Sequence, residues 1–383
     1  MDGTILFFQG HSWNHDNLKQ NGLFEAAKRF DWRVQIIAST DLSAADIRNI
    51  LRFWKPLGCV FDCGNSTSIP SPETFGQIPI VYLDCRKGLF GTKGSYVYHD
   101  SLASTELCAR ELLSLGFVNF AYVGHYRHLF WSEERKARFR EIISAHRLHL
   151  KVFAPVQDVS EFEFRKDLED FLRTLPKPCG LLTVNDEIGE MVLVAANRLG
   201  IWIPKEMSVV SIDNNARICE SLTPTLSSAE IDFHRAGRLA AELLKRILPK
   251  RNRNGESAAF GPIKLIRRAS SSAIADRAAA EMCEHIRRNA FVPLRAGEVA
   301  ALSDGSRRNA EKRFRKATGR SIMEEIHAVR LAKAKDLLAN SSYQIAEITG
   351  MCGYASESYF RRLFRAKTGM APLAFRRQGK AGL

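Results

Sequence analysis

Short apolar runs alternate with longer amphipathic segments over the first 267 residues. The apolar runs have the length of strands, and the segments between them repeat apolar positions at helical spacing. Nearly continuous apolar strands separated by helices are typical of parallel sheets covered on both faces, and two such sheets fit a segment of this length. The predicted strands are 4–9, 33–37, 57–61, 78–83, 118–123, 150–154, 180–184 and 207–212, and the predicted helices are 16–30, 43–54, 101–115, 131–148, 160–174, 186–199 and 233–248.

The pattern becomes purely helical after a small, polar segment without periodicity, RRASSSAIAD at 267–276. Such composition is typical of an interdomain linker. We therefore predict an α/β domain at 1–267, a linker at 268–276 and an all-α domain at 277–383. The predicted helices of the last domain are 277–290, 295–303, 307–317, 322–339, 344–351, 357–367 and 372–377.

The helical domain contains an internal repeat. A motif of the form Ser-x7-Phe-x4-Gly begins at Ser306 and recurs fifty residues later at Ser356. Serine caps helix N-termini and glycine ends helices, so each copy predicts one complete helix, and each follows a short apolar-periodic helix. The repeat predicts two helix-turn-helix units joined by the long helix 322–339, and two such units can enter successive major grooves of DNA.

Positive charge is concentrated in the same domain. Residues 277–383 contain 21 Lys and Arg against 10 Asp and Glu, a net charge of +11 out of the total of +14. This bias is expected of a domain that neutralises phosphates, although a solvated charged surface is the alternative reading of charge alone.

Helix geometry selects candidate DNA-contacting side chains. With the aromatic residues of the two motifs buried, the opposite helix faces carry Arg and Lys, Asn and Glu, which suit guanine, adenine and cytosine edges respectively. For each Arg the alternative is a phosphate contact or a solvated charge, and a phosphate contact is the expectation for Arg365. The candidates are Arg307, Arg308, Asn309, Glu311 and Lys312 in the first unit and Glu357, Ser358, Arg361, Arg362 and Arg365 in the second.

Polar side chains follow several predicted strands of the α/β domain. In open parallel sheets ligands bind beyond the carboxyl ends of the strands. Carboxylates, amides and Arg bind sugar hydroxyls, and Trp stacks on the apolar face of a sugar ring. Each residue has a structural alternative as a helix cap or turn residue. The candidates are His11, Trp13, Asp84, Trp131, Arg135, Asn185, Asp186 and Asp213.

Other classes of protein are disfavoured by the motifs. The eight cysteines are scattered without a CxxC pair, and the start, MDGTILFFQG, has neither a basic leader nor the length of a membrane span, so we expect a reducing cytoplasm. No GxSxG elbow, Walker loop or GxGxxG motif follows a strand, which disfavours an enzyme. His11 and His15 are four residues apart without a third ligand nearby, so we predict neither a metal nor another cofactor.

Residues 4–267 resemble the periplasmic-binding-protein-like sensors of lac-repressor-type regulators. The resemblance is carried by 181–214, in which one strand ends in Asn-Asp and a later strand ends in an Asp-containing turn. It extends to 222–228, which resembles the segment that crosses back between the two lobes. The resemblance implies a two-lobed sugar sensor. Glu230 stands where sugar binders of this class often have Gln, which adds it to the ligand candidates.

Residues 277–380 resemble the DNA-binding domain of AraC-type regulators. The resemblance is carried by Arg330 and Ala334 in the long helix and by the signature SYFRRLFRAKTG. Two residues of the first unit depart from the family pattern, namely Asp304 where Gly is usual and Ala310 where Leu usually packs. Because Asp tolerates left-handed backbone geometry, we expect the first turn to survive with looser packing.

A sugar sensor ahead of an AraC-type domain implies a ligand-responsive transcription activator. Such a protein would bind a double-stranded DNA operator as a homodimer on tandem half-sites, with RNA polymerase as a further candidate partner and no membrane. A monosaccharide would close the cleft between the lobes and reposition the DNA-binding domains. The alternatives are a sugar-modifying enzyme with a DNA-binding tail, or an architectural DNA-binding protein whose α/β domain only dimerises.

Overall fold

The computed structural model describes residues 3–10, 14–64, 68–249, 255–272 and 276–381. The chain forms two compact units. The first contains the residues up to Arg268 except 203–205, and the second contains those three residues and the chain from Ala269 onward. All eight cysteines are buried as free thiols. Among the helices that the structure describes, none has the length and apolarity that a membrane span requires.

The first unit alternates strands and helices. Its strands are β1 (Gly3–Gln9), β2 (Trp32–Ala38), β3 (Gly58–Asp62), β4 (Ile80–Leu83), β5 (Ser95–His99), β6 (Asn119–Val123), β7 (His149–Phe153), β8 (Cys179–Thr183), β9 (Met207–Asp213), β10 (Ser227–Ile231), β11 (Ser257–Phe260) and β12 (Pro262–Ile266). Its helices are α1 (Asn14–Arg29), α2 (Ala44–Trp54), α3 (Ser101–Ser114), α4 (Phe130–Ala145), α5 (Glu161–Thr174), α6 (Asp186–Arg198), α7 (Ala216–Ser221) and α8 (Phe233–Ile247). Every predicted strand and helix is confirmed, whereas β5, β10, β11, β12 and α7 were not predicted.

These strands form two sheets, one in each lobe. The strand order is β11-β5-β4-β3-β1-β2 in the first sheet and β12-β10-β9-β8-β6-β7 in the second. All neighbours are parallel except β12, which runs antiparallel to β10. The strands β3, β4 and β8 are buried at every position, which explains their continuous apolar sequence.

The chain crosses between the lobes three times, at 99–101, 231–233 and 260–262. Backbone hydrogen bonds join the crossing segments, since Asp100 N–H donates to the Phe260 carbonyl at 2.7 Å and Asp232 N–H donates to the Gly261 carbonyl at 3.0 Å. Three adjacent segments of this kind form a hinge. The expectation that 222–228 crosses between the lobes is wrong, because these residues lead into β10 of the second sheet and the crossing follows that strand.

From Arg277 onward the chain forms α9 (Arg277–Asn289), α10 (Ala296–Ala300), α11 (Arg307–Thr318), α12 (Ile322–Asn340), α13 (Ile345–Met351), α14 (Glu357–Thr368) and α15 (Pro372–Ala381). The pairs α10–α11 and α13–α14 are the two helix-turn-helix units that the repeat predicts. Ser306 and Ser356 cap α11 and α14 through their side chains, and the helices end at Gly319 and Gly369 with φ of 74° and 78°. The two copies of the sequence motif therefore begin and end their helices with the same capping residues.

The turns of the two helix-turn-helix units differ. In the second, Gly353 has a φ of 74°, and a Cβ atom there would lie 2.6 Å from the Ala290 carbonyl oxygen, so only glycine fits. In the first, the positive φ of 100° belongs to Gly305, and Asp304 is not among the residues with positive φ. The suggestion that Asp304 supplies the left-handed residue is therefore wrong, because the glycine one position later does so.

Arg330 on α12 contacts both the segment that precedes the first helix-turn-helix unit and the turn of the second unit. Its guanidinium is buried, and it donates through Nε to the Ala290 carbonyl at 2.6 Å and through Nη2 to the Val292 carbonyl at 3.1 Å. Its Cζ atom also lies 5.3 Å from the ring centroid of Tyr354, which follows the second turn. One side chain thus holds the segment after α9 and the second helix-turn-helix against the long helix.

Candidate functional site

A cavity of about 240 Å³ lies between the two lobes of the first unit, beyond the carboxyl ends of strands from both sheets. Its volume is just below that of pockets for drug-sized ligands, so it suits a molecule of about one sugar ring. The residues predicted from strand ends that it brings together are Asp84, Trp131, Arg135, Asn185, Asp186 and Asp213.

Arg135 on α4 is the central cation of this cavity. It is buried, and it donates through Nη1 to the Val184 carbonyl and through Nη2 to His99 Nδ1 at 2.9 Å. Its Nη2 also lies 3.7 Å from Asp213 Oδ1. The Nε atom of Arg135 is buried without a hydrogen-bond partner among the described residues. Because buried donors are almost always satisfied, this N–H marks a position for a ligand oxygen.

His99 is held in one tautomer at the end of β5. Arginine only donates, so His99 Nδ1 accepts from Arg135, and His99 Nε2–H donates to Ser104 Oγ at 2.8 Å. Burial, together with the nearby Arg135 charge, lowers the pKa of His99 to about 3, so the ring is neutral at physiological pH. The ring stacks on Phe260 at 5.3 Å, which links the cavity to two of the crossing segments.

Trp131 forms part of the cavity wall at the start of α4. The Cζ atom of Arg135 lies 5.0 Å from the Trp131 ring centroid, and the His125 ring meets it edge-on at 5.6 Å. The guanidinium therefore covers part of the indole in a cation–π contact. A sugar ring would meet the surface of Trp131 that remains exposed.

Asp186 and Asn185 have structural roles at the start of α6. The Asn185 side chain caps the helix by accepting from Ile188 N–H at 3.2 Å. Asp186 is buried and accepts from Ser228 Oγ and from Asn215 N–H, both at 2.6 Å, so it fixes the loop after β9. Burial, with the neighbouring Asp213 charge, raises the pKa of Asp186 to about 7.

We predict that Asp186→Asn changes the pH dependence of stability. The pKa of Asp186 is about 7 in the folded protein, against 3.8 for an unperturbed aspartate, so the folded state retains a proton that the unfolded chain has released. Between these pKa values its contribution to the free energy of unfolding falls as pH rises, by at most about 1.4 kcal/mol per pH unit. Urea unfolding between about pH 5 and pH 7 should therefore show the wild type losing stability relative to the variant. A constant difference would contradict the raised pKa.

The first lobe contributes a buried ion cluster. Lys19 Nζ lies 2.9 Å from Asp62 Oδ1 and 2.7 Å from Asp84 Oδ2. Burial raises the pKa of Asp62. Burial opposes ionisation of Asp84 as well, but the charge of Lys19, with a smaller contribution from Arg135, holds the pKa of Asp84 below its usual value. Asp84 is therefore an ionised acceptor at the cavity wall.

Three predicted ligand residues are not placed in this cavity. His11 and Trp13 lie outside the described residues. Glu230 on β10 is the register partner of Lys264 on β12, and its Oε2 atom lies 3.6 Å from Lys264 Nζ. The antiparallel pairing with β12 thus directs Glu230 to an edge-strand ion pair instead of the cavity wall.

Sequence reasoning missed several wall residues. Asn215 could have been found, because it lies two residues after the candidate Asp213. His99 gave no such signal, because it ends a strand that was not predicted. The missed residues include Lys19, His99, His125, Tyr126, Glu187, Asn215 and Phe233. Over the part of the chain that the structure describes, no group of three or more His, Cys, Asp or Glu side chains is arranged to hold a metal ion.

The predicted DNA-contacting side chains of α11 and α14 are exposed, except Glu311 and Glu357, which are partly buried, whereas Phe314 and Phe364 are buried. Each helix carries one ion pair four residues apart, with Arg307 Nε 3.0 Å from Glu311 Oε1, and with Arg361 Nε 2.7 Å from the Glu357 carboxylate. Exposed pairs of this kind contribute little stability, so DNA can replace them at small cost. The exposed candidates outside these pairs are Arg308, Asn309, Lys312, Ser358, Arg362 and Arg365.

Arg362 is oriented by an aromatic neighbour. Its Cζ atom lies 5.7 Å from the ring centroid of Tyr359, whose hydroxyl is 3.2 Å from His327 Nε2 on α12. The corresponding residues of the first helix-turn-helix unit are Asn309 and Lys312, so the first unit lacks this contact, and Arg308 has no equivalent of the Tyr359 ring at the position of Asn309. A cation–π contact fixes a guanidinium before it binds and so lowers the entropy that binding costs.

We therefore predict that Arg362→Ala weakens operator binding more than Arg308→Ala does. A good bidentate contact to a base discriminates by about 1–3 kcal/mol, so the loss at Arg362 should be roughly 5- to 150-fold. Gel shifts with a duplex selected by the wild-type protein from a random pool would compare the two variants at equal salt concentration. The reverse order of affinities would contradict a larger contribution to operator binding from the second helix-turn-helix unit.

Comparison with known proteins places this geometry among regulators. Residues 109–271 match the periplasmic binding protein-like domain, and residues 299–378 match a helix-turn-helix domain. The xylose operon regulatory protein of Haemophilus influenzae is 30% identical over 287 residues, which cover 73% of this chain and 74% of that protein. The protein of the same name from Escherichia coli K12 is 29% identical over 390 residues, covering 97% and 96%. A solved structure of the xylose-binding transcription activator xylR superposes with a TM-score of 0.64 at 25% identity, over 98% of this chain and 97% of that one.

Proposed function

Since the chain belongs to the family of the xylose operon regulatory proteins, AraC-type regulators with a periplasmic-binding-protein-like sensor, we propose that it activates transcription when a xylose-like monosaccharide binds between its sensor lobes. The chain is a sugar-responsive DNA-binding regulator and not an enzyme, which removes the alternative of a sugar-modifying enzyme. The observation that carries the ligand proposal is the unpartnered, buried Nε of Arg135 in a cavity of about one sugar ring.

The proposed recognition uses hydrogen bonds of both directions. The Asp84 and Asp213 carboxylates accept from sugar hydroxyls, and Arg135 Nε–H donates to a sugar oxygen. Trp131 offers its exposed surface to the apolar face of the ring. Asn185 retains its amide N–H group for the ligand because its oxygen caps α6. The buried Asp186 acts through the loop that it holds.

The proposed response is closure of the lobes about the three crossing segments. A ligand drives closure only through a higher affinity for the closed form. Contact of Arg135 with His99, which lies at the first crossing, supports a coupling between ligand and hinge. In this proposal residues 1–267 are the sensor and 277–383 bind DNA. The protein works in the cytoplasm as a homodimer on tandem half-sites and contacts RNA polymerase.

A thermal-shift screen of pentoses and hexoses tests the effector. Xylose is expected to raise the unfolding temperature with dose, because a ligand at 100 times its Kd stabilises the native state by about 2.7 kcal/mol. Operator binding by the full chain with and without each sugar gives the second measurement. If no sugar changes either stability or operator affinity, the architectural alternative, in which the α/β domain only dimerises, is favoured instead.

A further inference from the structure

Arg268 is buried at the last position of the first unit. Its side chain lies within the second lobe, where Nη1 donates to the Leu226 carbonyl at 2.9 Å and Nη2 donates to Asn214 Oδ1 at 2.9 Å. Its backbone N–H also donates to Ser227 Oγ at 2.7 Å. Arg268 is 8% exposed, which is unusual for an arginine at the end of a domain and shows that this position is held by the sensor.

Hydrogen bonds connect Arg268 to the cavity without interruption. Asn214, which accepts from Arg268, donates its own N–H to Ser228 Oγ at 3.0 Å. Ser228 Oγ in turn donates to Oδ1 of Asp186 at 2.6 Å. The other carboxylate oxygen of Asp186 accepts from Asn215 N–H at 2.6 Å. The loop after β9 is thus bound on one side by a cavity carboxylate and on the other by the residue that precedes the DNA-binding unit.

This loop has a strained backbone. Asp213 has a φ of 111°, which residues other than glycine adopt only when their surroundings hold them there, and Asn214 has a φ of 52°, in the left-handed region that asparagine tolerates. Asp213 also faces Arg135, with 3.7 Å between Oδ1 and Nη2. A ligand that hydrogen-bonds to Arg135 or Asp213 competes with this contact and so acts on a segment that stores strain.

We propose that Asn214 and Arg268 are positioning residues that couple occupancy of the sugar cavity to the start of the DNA-binding unit. The inference rests on the proposed function and names the path of its regulation. Sugar binding at Asp213 and Arg135 shifts the loop, the Asn214 amide follows, and the guanidinium of Arg268 moves with its acceptor. Because Arg268 is the first residue of the linker 268–276, this movement is passed through the linker to the residues that bind DNA.

Two substitutions at Asn214 separate coupling from folding. Asn214→Gly removes the acceptor that the loop offers to Arg268, while the contacts of Arg268 with the Leu226 carbonyl and with Glu220 Oε1 at 3.4 Å remain. It also retains the loop backbone, since glycine adopts a φ of 52° without strain. Asn214→Asp keeps an acceptor oxygen at the same place and serves as the matched conservative variant. Each is compared with wild type as the full chain, with xylose affinity measured by calorimetry and operator affinity measured with and without saturating xylose.

We expect Asn214→Gly to bind xylose within about threefold of wild type, while the factor by which xylose changes operator affinity falls to about 1. Asn214→Asp should retain that factor. An undiminished xylose effect in Asn214→Gly would overturn the inference, as would a large loss of xylose affinity in that variant, because Asn214 would then act on the ligand itself. Absence of any xylose response in wild type would overturn the proposed function, and the coupling path with it.

Discussion

Replacing Arg135 by Met is expected to lower sugar affinity by roughly 100-fold, because hydrogen bonds of a charged donor contribute about 1.5–3 kcal/mol and 1.4 kcal/mol is tenfold in affinity. The substitution removes the unpartnered Nε–H, the contact with Asp213 and the hydrogen bond to His99. Methionine fills much of the same volume, so we expect the fold to survive with a loss of about 1–3 kcal/mol from the unpaired carbonyl of Val184 and its neighbours.

The same helix provides a matched control for Arg135. Arg138 lies three residues later on α4 and binds Glu106 and Glu141 outside the cavity. Arg138→Met removes an equivalent side chain from the same helix, so its sugar affinity should stay within about twofold of wild type, and its stability should change little because exposed ion pairs contribute little. Calorimetry with the sugar identified by the screen decides the comparison. Equal loss in both variants would indicate that α4 itself, and not the Arg135 guanidinium, supports binding.

The sequence predicts the cavity best where a side chain directly follows a buried parallel strand. Asp84, Asp186 and Asp213 occupy such positions, because the parallel order of the strands brings their carboxyl ends to one edge. Lys19 has no comparable signal, since a lysine on an amphipathic helix is ordinarily exposed. Its burial depends on Asp62 and Asp84, which are 43 and 65 residues away in sequence.

The strands near the hinge are the part of the fold that the pattern of apolar residues did not reveal. The short strands β11 and β12 have exposed positions and lie at sheet edges, so they lack the continuous apolar run of central strands. The resemblance makes Glu230 a ligand candidate, whereas the structure pairs it with Lys264 on β12, a strand that the sequence does not predict. His99 was missed for a related reason, because β5 mixes polar residues with apolar ones.

The helical domain was predictable in more detail because its signals are local. Caps, aromatic anchors and terminal glycines lie within one motif, and the repeat doubles the evidence. The motif does not show how the two helix-turn-helix units are fixed relative to one another. That relation depends on Arg330, whose carbonyl acceptors at Ala290 and Val292 are 40 and 38 residues away.

Arg330→Met is therefore expected to destabilise the DNA-binding unit by about 1–3 kcal/mol, because it leaves the Ala290 carbonyl of a buried residue without its donor and removes the partly buried hydrogen bond to the Val292 carbonyl. The lost cation–π contact with Tyr354 frees the second turn, where Gly353 packs against the same segment after α9. Two recognition helices that are no longer fixed to one another enter successive major grooves with a larger loss of entropy. Operator affinity should fall by more than the effect of any single exposed Arg, and binding to a duplex that offers a major-groove site for only one recognition helix should change less.

Lys335 on the exposed face of α12 provides the control for Arg330. Lys335→Met also removes one positive charge from the long helix. Because the Lys335 side chain is exposed, the stability of this variant should lie within about 0.5 kcal/mol of wild type. Urea unfolding, and gel shifts on duplexes with a major-groove site for one or for both recognition helices of a chain, measure the two consequences separately. If Arg330→Met loses affinity equally for both kinds of duplex, the guanidinium contributes to DNA binding as charge, and its role in holding the two recognition helices in register is wrong.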